Sequence, residues 1–96
     1  MISHLEANEL LDLYEPLLTK RQQEVLELYF QEDLSLAEIQ ENLKVSKAAV
    51  YDALKKGVAA MENFEQILHL HTKSKVLAGF LADHPEYEKE LGSLLD

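Results

Sequence analysis

The sequence predicts an all-α fold. Glycine occurs three times and proline twice in 96 residues, so almost nothing interrupts a helix. Apolar residues recur at intervals of three and four, and no stretch alternates in the manner of a strand. Serine and threonine stand repeatedly where a helix needs an N-terminal cap.

The elements follow in order. Leu5, Leu10, Leu11, Leu13, Tyr14, Leu17 and Leu18 give a first amphipathic helix, stopped near Pro16 because proline disfavours helix in the residue before it. Thr19-Lys20-Arg21-Gln22 has the form of a capping box and opens a helix with Val25, Leu26, Leu28, Tyr29 and Phe30 inward, ended by Glu32-Asp33. Ser35-Leu36-Ala37-Glu38 is a second capping box, opening a short helix with Leu36, Ile39 and Leu43 on one face. Ser46 caps the next helix, which is expected to run to about His71 because Gly57 alone costs only about 1 kcal/mol. After Ser74, the residues Val76, Leu77, Phe80 and Leu81 suggest another helix. Pro85-Glu86 starts a last one with Tyr87, Leu91, Leu94 and Leu95.

Length suits a single domain over 1–96, with a core at about 19–60 and a helical extension over 61–96. The 47% hydrophobic fraction is that of a globular chain, not a disordered one. No cysteine is present, which excludes disulfides, thiolate chemistry and sulfur-ligated metal. Val76 to Ala82 is the longest uncharged, mostly apolar stretch, far below the ~20 residues that span a bilayer. The first residues have neither the basic start nor the apolar run of a signal peptide, so a cytoplasmic location without membrane contact is expected.

Charge is unevenly distributed. Eighteen acids against nine bases give −9, a poor balance for a protein that merely coats nucleic acid. Residues 1–34 carry −6 and residues 61–96 carry −4, but residues 35–60 carry +1. Lys44, Lys47, Lys55 and Lys56 all fall between 44 and 56, where only Asp52 opposes them. A small basic patch therefore lies inside an acidic chain.

That patch coincides with the most informative stretch, SLAEIQENLKVSKAAVYDALKKG over 35–57. A short helix, a tight connection around Leu43-Lys44-Val45 and a helix capped by Ser46 make a helix-turn-helix layout. Ile39, Leu43, Val45, Val50 and Leu54 have the spacing that locks two such helices across each other. The second helix then shows Lys47, Ala48, Tyr51, Asp52, Lys55 and Lys56 outward, on the side that enters the major groove in DNA readers. Lysines suit phosphate contacts, which position without reading sequence. Arg, Asn and Gln are missing from this face, so base-edge reading has little to work with. As an ordinary solvated face, the same residues would include an Asp52–Lys56 pair four apart.

The segment LLTKRQQEVLELYFQEDLSLAEIQENLKVSKAAVYDALKKG, followed by MENFEQILHL, resembles the YlxM family of small bacterial helix-turn-helix proteins. That family is typically encoded beside the genes of the signal recognition particle, and its helix-turn-helix is similar to the promoter-binding fourth region of sigma factors. The resemblance implies a regulatory or accessory role in the signal recognition particle pathway. It also implies contact with the particle's protein or RNA, or with DNA. Arginine and glutamine are usual in the family where this chain has Lys47 and Ala48, and a lysine offers a point charge in place of a bidentate fork.

A heptad runs along the long helix, with Val50, Gly57 and Phe64 on one seam position and Leu54, Met61 and Leu68 on the other. Leu54, Gly57, Met61, Phe64 and Leu68 are therefore expected to form the seam of a homodimer; the alternative is that the extension folds back within one chain.

Catalysis is not expected. His69 and His71, two apart on a helix, would point about 200° from each other and could not share a metal; they suit opposite sides of a helix end, while His4 and His84 stand alone. No glycine-rich phosphate loop exists, and Ser46 has no base beside it. No cofactor or metal is expected. The residues that carry the nucleic-acid reading are Lys44, Lys47, Ala48, Tyr51, Lys55 and Lys56, with Ser46 as cap. The competing reading keeps the helix-turn-helix as a scaffold and lets the acidic exterior dock a basic partner such as the signal recognition particle protein.

Overall fold

Residues 2–95 are described by a computed structural model, and among them six α-helices and no strands occur. They are α1 (His4–Tyr14), α2 (Lys20–Leu26), α3 (Leu36–Leu43), α4 (Lys47–Leu68), α5 (Leu70–Asp83) and α6 (Glu88–Leu91).

Capping decides most of the boundaries. Ser3, which the sequence reading had passed over, caps α1 by accepting from the Glu6 amide at 3.1 Å. Thr19 with Gln22, and Ser35 with Glu38, form both halves of the expected capping boxes, and Ser46 accepts from the Ala49 amide at 3.1 Å. Near Pro16 the first helix tightens into a 3₁₀ turn, Glu15–Leu17. Gln23 then ties that turn down, its Nε2 donating to the Glu15 and Leu18 carbonyls at 2.8 and 3.2 Å.

Three features depart from the reading above. The helix α2 passes into a π turn over Glu27–Gln31. A regular helix cannot turn five residues as close as Val25, Leu26, Leu28, Tyr29 and Phe30 to one side. Even with the wider turn, Val25, Leu26 and Phe30 are buried while Leu28 and Tyr29 are partly covered. The Phe30 carbonyl is met by the Asn8 side chain at 3.0 Å. Second, the long helix ends at Leu68, short of His71, because His69 adopts a left-handed conformation (φ 55°, ψ 31°), and α5 begins at Leu70 and not after Ser74. Third, the chain after Pro85 forms no long helix. A 3₁₀ turn (Pro85–Tyr87), the four-residue α6 and a second 3₁₀ turn (Gly92–Leu95) follow one another along α5.

One core unites α1, α2, α3 and the first four turns of α4. It contains Leu10, Leu11, Tyr14, Val25, Leu26, Phe30, Ile39, Val50, Leu54, Val58 and Met61. The expected lock between α3 and α4 is present, with Ile39, Val50 and Leu54 buried and Leu43 and Val45 packed against them. Met61, placed at the start of the extension, is fully buried within this core. The helices α2 and α4 approach closely at Gly57. A β-carbon there would lie 2.8 Å from Leu26 Cδ1 and 3.2 Å from its Cγ, and Leu26 is itself fully buried.

The corner between α4 and α5 is held by one carboxylate. Glu65 Oε1 accepts from the Tyr14 hydroxyl at 2.6 Å and the His71 amide at 2.9 Å. Its Oε2 accepts from the Thr72 amide at 3.2 Å and the Thr72 hydroxyl at 2.9 Å. Glu65 thus caps α5 across the break, where the helix dipole favours negative charge. Tyr14 closes the arrangement by accepting from the Leu70 amide at 3.1 Å. His71 turns to Glu9 on α1, so α5 is fastened at two points. The two histidines are therefore not a matched pair at one helix end: His69 is the exposed hinge itself, and His71 lies in the first turn of α5. His4 lies 3.4 Å from Asp33 and His84 lies 3.5 Å from Glu86, each beside a single carboxylate.

Two outcomes test this account. Gly57→Leu raises helix propensity yet forces Leu26 out of place, so it is expected to lower stability by about 3 kcal/mol in urea denaturation. Burial opposes ionisation of Glu65, but the donors from Tyr14, His71 and Thr72 outweigh it and bring its pKa down to about 2 from an ordinary 4.5. A lowered carboxyl pKa stabilises the fold above the unfolded value and loses that contribution as pH falls. Glu65→Gln should thus cost about 2 kcal/mol at pH 7, with the gap to the parent protein closing as pH drops from about 4.5 to about 2.

Candidate nucleic-acid interface

The helix-turn-helix consists of α3, the turn Lys44-Val45-Ser46 and α4. The turn is tight because Lys44 is left-handed (φ 56°, ψ 47°) and both its amide and that of Val45 reach the Gln40 carbonyl. A lysine occupies this position although glycine would adopt it more easily. Sequence reasoning located the turn but gave no signal for that conformation.

All six expected interface residues are exposed. They do not form one patch. At 100° per residue, Lys47, Tyr51 and Lys55 lie four apart along one row of α4, with Ala48 beside them. Lys56 lies about 100° further round from Lys55 and is paired with Asp52 at 3.3 Å, the four-apart pair expected of an ordinary solvated face. Lys44 lies in the turn ahead of the row. Two surfaces border it. Val58 and Leu54 carry the row's inner edge into the core, and Ala59 and Glu62 continue its outer edge.

The neighbouring surface of α3 is acidic. Ala37, Glu38, Gln40 and Glu41 line a shallow depression there, and no base lies on α3. Glu38 stays ionised, because the Ser35 amide and then its hydroxyl hold its carboxyl below the usual range.

The seam residues have a different fate from that expected. Leu54 and Met61 are buried by the chain's own helices, Gly57 faces Leu26, and Phe64 packs with Tyr14 at 5.9 Å between ring centres. Of the five, Leu68 alone is exposed. The heptad pattern thus records packing of α4 on α1 and α2.

Among the described residues, no group of three or more His, Asp or Glu side chains is placed to hold a metal ion. Among them, too, no helix is long and apolar enough to cross a membrane.

Similarity to known proteins agrees with this geometry. Residues 1–91 match the UPF0122 family, described as "Putative helix-turn-helix protein, YlxM / p13 like". A UPF0122 protein of Limosilactobacillus reuteri (strain DSM 20016) is 48% identical over 69 residues, covering 72% of this chain and 61% of that protein. One from Pediococcus pentosaceus has the same identity over the same length and coverage. The UPF0122 protein SSU98_0878 of Streptococcus suis is 38% identical over 94 residues, 92% of this chain and 83% of that protein. The chain spans about three-fifths of the length of the first two relatives. With the helix-turn-helix in place and the match running through it, the chain belongs to the UPF0122 family of YlxM/p13-like helix-turn-helix proteins.

Proposed function

We propose that this protein is a non-enzymatic, cytoplasmic nucleic-acid-binding module that serves the signal recognition particle pathway in a regulatory or accessory role. Its ligand is RNA or DNA, held by Lys44, Lys47, Tyr51 and Lys55. The observation that carries this reading is the exposed row of α4, basic in an otherwise acidic protein and displayed by a formed helix-turn-helix. Its lysines supply phosphate contacts and counterion release. The N-terminus of α4, capped by Ser46, adds the positive end of a 22-residue helix beside Lys47.

A second reading is favoured by the ionised Glu38 and exposed Glu41 on α3 and by the net charge of −9. In it, the acidic exterior docks a basic protein such as that of the signal recognition particle. Fluorescence anisotropy with labelled signal recognition particle RNA and with an unrelated DNA duplex, at low and physiological salt, separates the two. The first reading expects binding that weakens with salt and falls by more than about tenfold in Lys47→Glu/Lys55→Glu. Lys56→Glu, off the row and already paired with Asp52, should have a smaller effect. Absence of binding to both, even at low salt, would transfer the function to the acidic surface.

The same reading has the protein acting as a homodimer. With Leu54, Gly57 and Met61 enclosed in one chain, pairing falls to Leu68 and its exposed neighbours Ile67 and Leu70. Sedimentation at micromolar concentration should give twice the 11.0 kDa chain mass, and Ile67→Glu should return the monomer; the monomer mass for the parent protein would end this part of the proposal.

A further inference from the structure

The lysine row has an aromatic at its centre that packs on no other ring. Of the four tyrosines, Tyr14 rings with Phe64, Tyr29 with His4 and Phe30, and Tyr87 with Phe80 and His84. Tyr51 is in none of these ring contacts and is 54% exposed. It stands one helical turn from Lys47 on one side and one turn from Lys55 on the other. The two lysines are thus about 12 Å apart along the axis, with the Tyr51 ring between them.

Docking of this module in a duplex major groove meets an obstacle on α3. The first helix of a helix-turn-helix crosses the phosphate backbone when the second enters the groove. Here that helix is α3, which presents Glu38 and Glu41 and no base. Carboxylates on the helix that would cross the backbone disfavour that crossing. The inserted row also lacks Arg, Asn and Gln, the side chains that read base edges most effectively. A single strand that follows α4 alone needs neither crossing nor edge reading. Its requirements are a π-face for an unstacked base and cations for the phosphates on either side.

We infer that the row Lys47–Tyr51–Lys55 takes an unpaired nucleotide strand, one base stacked on the Tyr51 ring and backbone phosphates on either side of that base reached by the two lysines. This rests on the nucleic-acid reading above and names the ligand within it. Single-stranded RNA and single-stranded DNA offer the same chemistry, and a contact to the 2′-hydroxyl would set them apart.

The experiment uses the full chain and three fluorescein-labelled probes: an unstructured pyrimidine RNA 12-mer, the DNA 12-mer of the same sequence, and a DNA duplex of the same length. Tyr51→Phe, Tyr51→Ala and Lys47→Glu/Lys55→Glu are titrated in parallel, with circular dichroism melts to establish folding. The inference expects single strands to bind at least about tenfold tighter than duplex. Tyr51→Ala should lose about tenfold on single strands with no change on duplex, and Tyr51→Phe should retain the parent affinity. RNA well above DNA would assign the source as RNA; equal affinity would leave the unpaired strand as the ligand class. Duplex binding as tight as single strand, sensitive to the lysine variant but not to Tyr51→Ala, would overturn the inference and leave the nucleic-acid reading standing. No binding of any probe would overturn the inference, and absence of binding to signal recognition particle RNA as well would overturn both.

Discussion

Close contact between α2 and α4 at Gly57 is the constraint on which the rest of the fold depends. A side chain at that position would meet the buried Leu26, so the two helices approach as nearly as they do only because one of them lacks a β-carbon there. That approach places Val50, Leu54, Val58 and Met61 on a single inward stripe of α4. The same rotation turns Lys47, Tyr51 and Lys55 outward. Packing on one side of α4 therefore sets the orientation of the interface on the other, and α3 follows through Ile39 and Val45.

A second constraint governs the chain beyond the helix-turn-helix. Without a break, α4 would carry its seam on as an extended rod. The left-handed His69 redirects the chain, and Glu65 stabilises the turn by collecting four donors from Tyr14, His71 and Thr72. A charge so nearly saturated with donors is far less costly than one merely buried. Since Tyr14 belongs to the first helix and the core, the direction of α5 is linked to the packing of α1. The molecule is accordingly elongated, 52 Å by 24 Å by 20 Å, with Val76, Phe80, Tyr87 and Leu94 left partly or largely uncovered along its C-terminal arm.

Electrostatics explains how an acidic protein can display a basic site. The nine excess negative charges are spread over α1, α3, α4's distal turns and the C-terminal arm, whereas the lysine row occupies two turns of α4. Exposed charges more than a Debye length apart, about 8 Å at physiological ionic strength, are largely screened from one another. Local sign then governs contact, and long-range charge governs approach.

Much of this was legible in the residues alone. The caps at Thr19, Ser35 and Ser46, the lock of Ile39 against Val50 and Leu54, and the exposed lysines follow from short-range rules, because a cap or a helical face is defined by neighbours within four positions. The sequence by itself determined the all-α class, the helix-turn-helix and the family. Tertiary structure alone decided three things. The heptad of α4 serves the chain's own core, since a periodic apolar stripe does not state which surface covers it. Left-handed turns at Lys44 and His69 were hidden because neither residue announces a positive φ as glycine would. Glu65 was silent for a similar reason: its partners at positions 14, 71 and 72 come together through a chain reversal, and nothing in the local pattern of an acidic residue on a helix distinguishes a hydrogen-bonded cap from a solvated charge.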